Sequence, residues 1–222
     1  MTIKDNLQTV LQNIPSHVRL VAVSKFHPNE AVLEAYESSQ RVFGESRVQE
    51  LSAKYDQLPK DIEWHFIGHL QTNKIKYISP FVTMIHAVDS ERLLIEINQF
   101  AKKSTRTISC LLQIHIAKEE TKFGFSIEEC RQFLESKRWE NLENVQIAGL
   151  MGMATYTENS AQIRGEFHSL NQFFQEMKSS VFQEKNYFCE LSMGMSDDYK
   201  IAIDEGSTLV RIGSTIFGSR NY

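Results

Sequence analysis

The stretch YFCELSMGMSDDYKIAIDEGSTLVRIGSTIFG, Tyr187 to Gly218, reads as strand, helix, strand and the start of another helix. "YFCELSMG" is a short apolar run. Ser196 stands where a helix cap is expected. Asp197 and Asp198 follow in the first turn, where the positive end of the helix dipole favours carboxylates. Gly206 ends that helix and "TLVRIG" forms the next strand. A strand, a short crossover helix and a second strand make a parallel pair, the unit of α/β folds.

The same alternation continues towards the N-terminus. Ile3, Leu7, Val10, Leu11 and Ile14 recur at helical spacing until Pro15. Leu20 to Ser24 is a strand, and Pro28 opens a helix carrying Val32, Leu33 and Tyr36. "RVFGES" is a strand, Val48 to Leu58 a helix, "EWHFIG" a strand, "QTNKIKYI" helical and "TMIHAVD" a strand. Ser90 caps a helix whose inner face is Leu93, Leu94, Ile97 and Ala101. "ISCLLQIHIA" is a strand, and Ser126 with Glu129 has capping-box spacing ahead of Cys130, Phe133 and Leu134. "VQIAGLMGM" precedes a long stripe of Ile163, Phe167, Leu170, Phe174, Met177 and Val181. About eight strands alternating with helices predict a single parallel (β/α)8 TIM barrel over residues 1–222, with an extra N-terminal helix. An open doubly wound sheet is the alternative that periodicity leaves standing.

Bulk properties exclude several classes. The net charge of −4 offers no basic field for nucleic acid. No apolar run is long enough for a bilayer, and Met1 to Pro15 is too polar for a secretory signal. Cys110, Cys130 and Cys189 are odd in number and widely spaced, so they read as reduced core thiols of a cytoplasmic protein.

In a barrel the chemistry lies where strands end. "SMGMS" (Ser192–Ser196) and "GSTIFG" (Gly213–Gly218) fall at the exits of strands seven and eight, where this fold holds phosphate. Glycine lets backbone N–H groups approach an anion, and serine adds donors. "GSTIFGSR" is not a nucleotide P-loop, because Ser219 stands where that motif needs lysine. Lys25 ends the first strand. A partly desolvated lysine loses its proton more easily, and a neutral amine forms a Schiff base with an aldehyde. Phosphate loops plus such a lysine point to a phosphorylated carbonyl compound, either a sugar phosphate in an aldolase or pyridoxal phosphate. Arg211, two residues before the second loop, favours pyridoxal phosphate, whose ring nitrogen takes an Asp or Arg partner. The competing assignment pairs Arg211 with a carboxylate such as Asp204. His65 and His69 lie four apart, but on a strand rather than a metal-binding helix, so His65 is expected to be a hydrogen-bonded barrel residue that could touch the cofactor ring. Lys122 in "TKFGF" is either a solvated loop lysine or a cation near the mouth. Phe167, Phe173 and Phe174 read as core packing.

Together "AVSKFHP", "FGESRVQE", "WHFIGHLQTNK", "TKFGF", "GLMGMA" and "LSMGMSDDYKIAIDEGSTLVRIGSTIFG" resemble the pyridoxal phosphate homeostasis proteins. The resemblance runs from the first strand almost to the C-terminus. It implies the fold-type III barrel, similar to the N-terminal domain of alanine racemase. It also implies pyridoxal 5'-phosphate held as a Schiff base on Lys25, phosphate held around Ser192, Gly194, Ser196, Gly213 and Ser214, and Arg211 facing the ring nitrogen. Met151 of "GLMGMA", His65 and Ser46 complete the expected cofactor-binding set. Ser46 departs from the family's usual "GEN", so the amide contact of that asparagine is lost or replaced. The implied role is storage or delivery of the cofactor in vitamin B6 homeostasis, by a monomer without robust catalysis, with pyridoxal phosphate-dependent apoenzymes as possible recipients. A fold-type III amino-acid racemase or lyase is the alternative. The sequence runs to Tyr222 just after the barrel, so no second domain is expected to supply an opposing base.

Overall fold

The computed structural model describes residues 2–118 and 123–218. Eight parallel strands close into one barrel in chain order. They are β1 (Arg19–Val23), β2 (Val42–Glu45), β3 (Glu63–Phe66), β4 (Met84–Val88), β5 (Ile108–His115), β6 (Val145–Met153), β7 (Glu190–Ser192) and β8 (Leu209–Ile212). Closure rests on β1, which pairs with β2 at Ala22–Phe43 and with β8 over Arg19–Leu209 to Ala22–Ile212. That double pairing decides for the barrel over the open sheet.

Strand period two gives the barrel two apolar surfaces. Val21, Met84, Ala87, Leu111, Ala148, Met151 and Leu209 fill the interior. The alternate positions, among them Leu20, Ala22, Phe43, Trp64, Ile85 and Ile212, form the larger outer core under the helices. At the N-terminal end of the strands Arg19 closes the interior with ion pairs to Glu63 (3.0 Å) and Glu190 (3.3 Å). The stability end is therefore shut, and the C-terminal mouth is left for chemistry.

The outer layer is α1 (Ile3–Gln12), α2 (Asn29–Glu37), α3 (Val48–Gln57), α4 (Ile75–Ile78), α5 (Glu91–Lys103), α6 (Ile127–Glu135), α7 (Ser160–Ser179), α8 (Tyr199–Asp204) and α9 (Ser214–Phe217). Ser90 caps α5, and the Ser126–Glu129 capping box opens α6. Phe167, Phe173 and Phe174 on α7 are core residues. Val181 lies past the end of α7, and Pro28 sits just before α2 rather than inside it.

Two expectations are corrected. Ser196 does not cap the helix after β7. That helix begins at Tyr199, and Asp198 folds back to accept the amide of Met195 (2.5 Å), which keeps Ser196 in the loop. Cys110 and Cys130 are buried thiols whose pKa is pushed up by desolvation, but Cys189 is exposed and fills no core. No helix among the described residues is long and apolar enough to cross a membrane.

Candidate functional site

The geometry at the mouth starts with Lys25, which leaves β1 in a turn and is partly exposed. It shares a narrow cleft of about 20 Å³ with Val23, His27, Gly213, Ser214 and Gly218. Gly213 lies against the end of β1: a Cβ on it would sit 3.0 Å from the Val23 carbonyl oxygen, tight enough that the neighbouring backbone would have to give by a few tenths of an ångström. The two loops expected to hold phosphate are joined by a hydrogen bond, the Gly213 amide donating to Ser196 Oγ (3.3 Å). Gly194 holds the first loop in place with φ +92°, its carbonyl accepting the Arg211 amide (3.0 Å). Lys25, Ser196, Gly213 and Ser214 are thus gathered at one side of the mouth.

Beneath them a polar chain crosses the barrel. Arg211 is buried and donates to Ser192 Oγ and to the Gly152 carbonyl (3.1 Å). Ser192 Oγ lies 3.0 Å from His86 Nδ1, and His86 Nε2 lies 2.9 Å from His65 Nδ1. Arginine can only donate, so Ser192 Oγ accepts from Arg211. Either tautomer of the two imidazoles completes the chain, and His65 Nε2 at its end is buried with no partner among the described residues. Both imidazoles are neutral. Desolvation holds His65 down to about 3, with Arg19 adding to it. Desolvation, then His65 and Arg211, hold His86 well below its ordinary value. Arg211 is lowered to about 10 by desolvation, opposed by Asp198, and stays cationic at neutral pH.

Asp204 pairs with Arg164 (3.2 Å), so it is not the carboxylate partner of Arg211. Arg211 has no carboxylate within ion-pair distance among the described residues. Ser192 is committed to this inner chain rather than to the loop backbone, and His65 meets the mouth only through His86, Ser192 and Arg211. Met151 packs in the interior below Met153. A cavity of about 260 Å³ opens at the ends of β5 and β6, lined by Gln113, His115, Phe123, Met153, Tyr156 and Met195. Ser46 follows β2, the strand neighbouring that of Lys25, and lines a depression with Arg47, His69 and Lys74. His69 bonds Asp89 (3.0 Å), and no cluster of three metal-ligating side chains occurs among the described residues. Lys122 lies outside the described residues.

The strand ends also hold a group that sequence reasoning missed. Glu45 and Lys54 are both buried and bonded to each other (2.6 Å) between β2 and α3. Desolvation raises the Glu45 pKa, against the lowering effect of Lys54.

These residues suit pyridoxal phosphate: an amine at the mouth, a bare backbone beside it, and a buried guanidinium without a carboxylate partner.

The comparisons agree with that chemistry. The profile of the family described as "Alanine racemase, N-terminal domain" matches residues 1–221. A pyridoxal phosphate homeostasis protein of Aquifex aeolicus is 40% identical over 92% of this chain and 88% of its own length. One from Schizosaccharomyces pombe is 35% identical over 92% of this chain and 85% of its own. The structure of PipY from Synechococcus elongatus with PLP bound superposes with a TM-score of 0.88 at 35% identity, over 98% of this chain and 100% of that one. Alanine racemase from Streptomyces coelicolor, at 15% identity and a TM-score of 0.75, shares the fold over 96% of this chain and 57% of its own. The chain belongs to the alanine racemase N-terminal domain family and, within it, to the pyridoxal phosphate homeostasis proteins.

Proposed function

We propose that this chain binds pyridoxal 5'-phosphate at the barrel mouth through Lys25 and serves the cell's vitamin B6 balance by holding and releasing it. The observation that carries the reading is the shared cleft of Lys25, Gly213 and Ser214, with Gly213 pressed against the end of β1. When bound, the cofactor supplies an aldehyde that an amine can capture and, with a protonated ring, an electron sink. Lys25 is the capturing amine. Ser196, Gly213, Ser214 and the loop turned by Gly194 face the phosphate, and Ser192 holds Arg211 rather than the anion.

Arg211 faces the ring nitrogen. Its fixed charge opposes a second positive charge there, so carbanion chemistry is weak. The protein acts as a cytoplasmic monomer, with apoenzymes that need the cofactor as recipients. PLP binding by PipY, a relative of nearly equal length, supports the reading.

The visible spectrum of the protein as isolated tests it. A yellow protein that bleaches on addition of free amines is expected. A colourless protein that cleaves sugar phosphates would reject the proposal.

A further inference from the structure

We infer that Lys54 and Glu50 form a clamp that aims Lys25, making them positioning residues for the cofactor amine. The inference rests on the reading that Lys25 carries the cofactor. Ser24, Lys25, Phe26 and His27 make one turn, closed by the His27 amide donating to the Ser24 carbonyl (3.1 Å). Phe26, its third residue, has φ +67°. That position of a turn ordinarily takes glycine or asparagine, because a bulky side chain is strained there. Such a conformation persists only where the surroundings hold it.

They hold it from both flanks. On one side Lys54 Nζ donates to the Ser24 carbonyl (2.7 Å), and Ser24 Oγ donates to Glu45 Oε1 (2.6 Å). On the other the Phe26 amide donates to Glu50 Oε1 (2.6 Å), and the Arg47 guanidinium lies 4.4 Å from the centre of the Phe26 ring. Lys54 joins the two sides, donating to Glu45 (2.6 Å) and Glu50 (2.8 Å). Its three ammonium donors thus meet three acceptors, although lysine is rarely buried and this one is 4% exposed. Glu50 and Lys54 stand one turn apart on α3, so one helix face grips the tips of β1 and β2 together. The one residue between the two anchored peptide groups is Lys25.

A purely structural ion cluster would change stability and leave the folded protein's Lys25 chemistry alone. Positioning predicts more. In Glu50→Ala the Phe26 amide loses its acceptor, whereas in Glu50→Gln a side-chain oxygen remains for it. Glu50 is 20% exposed at its side chain, so both changes suit a folded barrel. Two readouts are compared in full-length protein. One is hydrogen exchange of the segment 24–28 without cofactor. The other is the pH profile of borohydride labelling of Lys25 at subsaturating pyridoxal phosphate. Glu50→Ala is expected to speed exchange and lower labelling at least about tenfold, with a displaced labelling midpoint. Glu50→Gln is expected to restore all three to near wild type. Should Glu50→Ala not fold, the pair Lys54→Met with Glu45→Gln, which removes both buried charges together, frees the Ser24 carbonyl and is read the same way. Wild-type exchange and labelling in folded Glu50→Ala, or a Glu50→Gln variant as impaired as Glu50→Ala, would overturn the clamp. Absence of label from wild-type Lys25 would instead reject the proposed function, while the exchange arm still decides the clamp.

Discussion

Acidification offers a direct test of the polar chain inside the barrel. His65 is held neutral, its pKa depressed from 6.5 to about 3 by burial. Below pH 6.5 the unfolded chain takes up a proton at this residue that the native protein refuses. The stability contributed by neutral His65 is therefore full above pH 6.5 and is lost as the pH falls towards 3. Between pH 7 and pH 5 the loss works out to about 2 kcal/mol, at a slope that approaches about 1.4 kcal/mol per pH unit. His86 acts in the same direction. Glu45 and Asp198, whose pKa values burial raises, act in the opposite one. His65→Asn isolates the term, because its side-chain amide can accept from or donate to His86 Nε2 in place of Nδ1 but does not titrate. Urea unfolding of both proteins at pH 7 and pH 5 provides the assay. Wild type should lose about 2 kcal/mol more than the variant over that interval. Equal losses would mean that His65 titrates normally and is not held neutral by burial.

Replacing Gly213 by leucine places side-chain carbon against the Val23 carbonyl and blocks the loop backbone, so cofactor affinity measured by absorbance titration should fall at least about tenfold in a folded protein. Gly194→Ala forces a Cβ to 2.6 Å from the Ala202 Cβ at φ +92°, and thermal unfolding should show a loss of roughly 1–3 kcal/mol. Ser192→Ala leaves Arg211 Nη1 without its buried acceptor, and urea unfolding should report a loss of about 1–3 kcal/mol. Alanine racemisation followed by optical rotation should stay below the usual enzyme range of about 1–1000 per second, and a wild-type rate inside it would contradict the role given to Arg211.

The barrel was legible because each strand and helix advertises its own period, and because the Tyr187–Gly218 unit shows the crossover openly. Lys25, Gly213 and Ser214 were legible as strand exits, since in this architecture an exit and a functional position are the same place. The clamp was not. Glu45 sits in "GES" and Lys54 in a helix rich in polar residues, and each looks solvated until closure sets the outer face of β2 against α3. The histidine chain was half legible. His65 and His86 both sit inside apolar strands, a warning of burial, but their contact depends on the β3–β4 register. The sequence places Ser192 at the start of a loop, while its hydroxyl answers to the inward face of β7. Ser196 was read from local capping preference, and the bond from the Gly213 amide is a contact between loops that no local pattern encodes.

Borohydride reduction of the pyridoxal phosphate-loaded protein, followed by peptide mapping, bears most directly on the central claim. One pyridoxyl group per chain is expected, on the peptide that contains Lys25. A label on Lys74 or Lys122 instead, or a cofactor-loaded protein with Lys25 unlabelled, would contradict it.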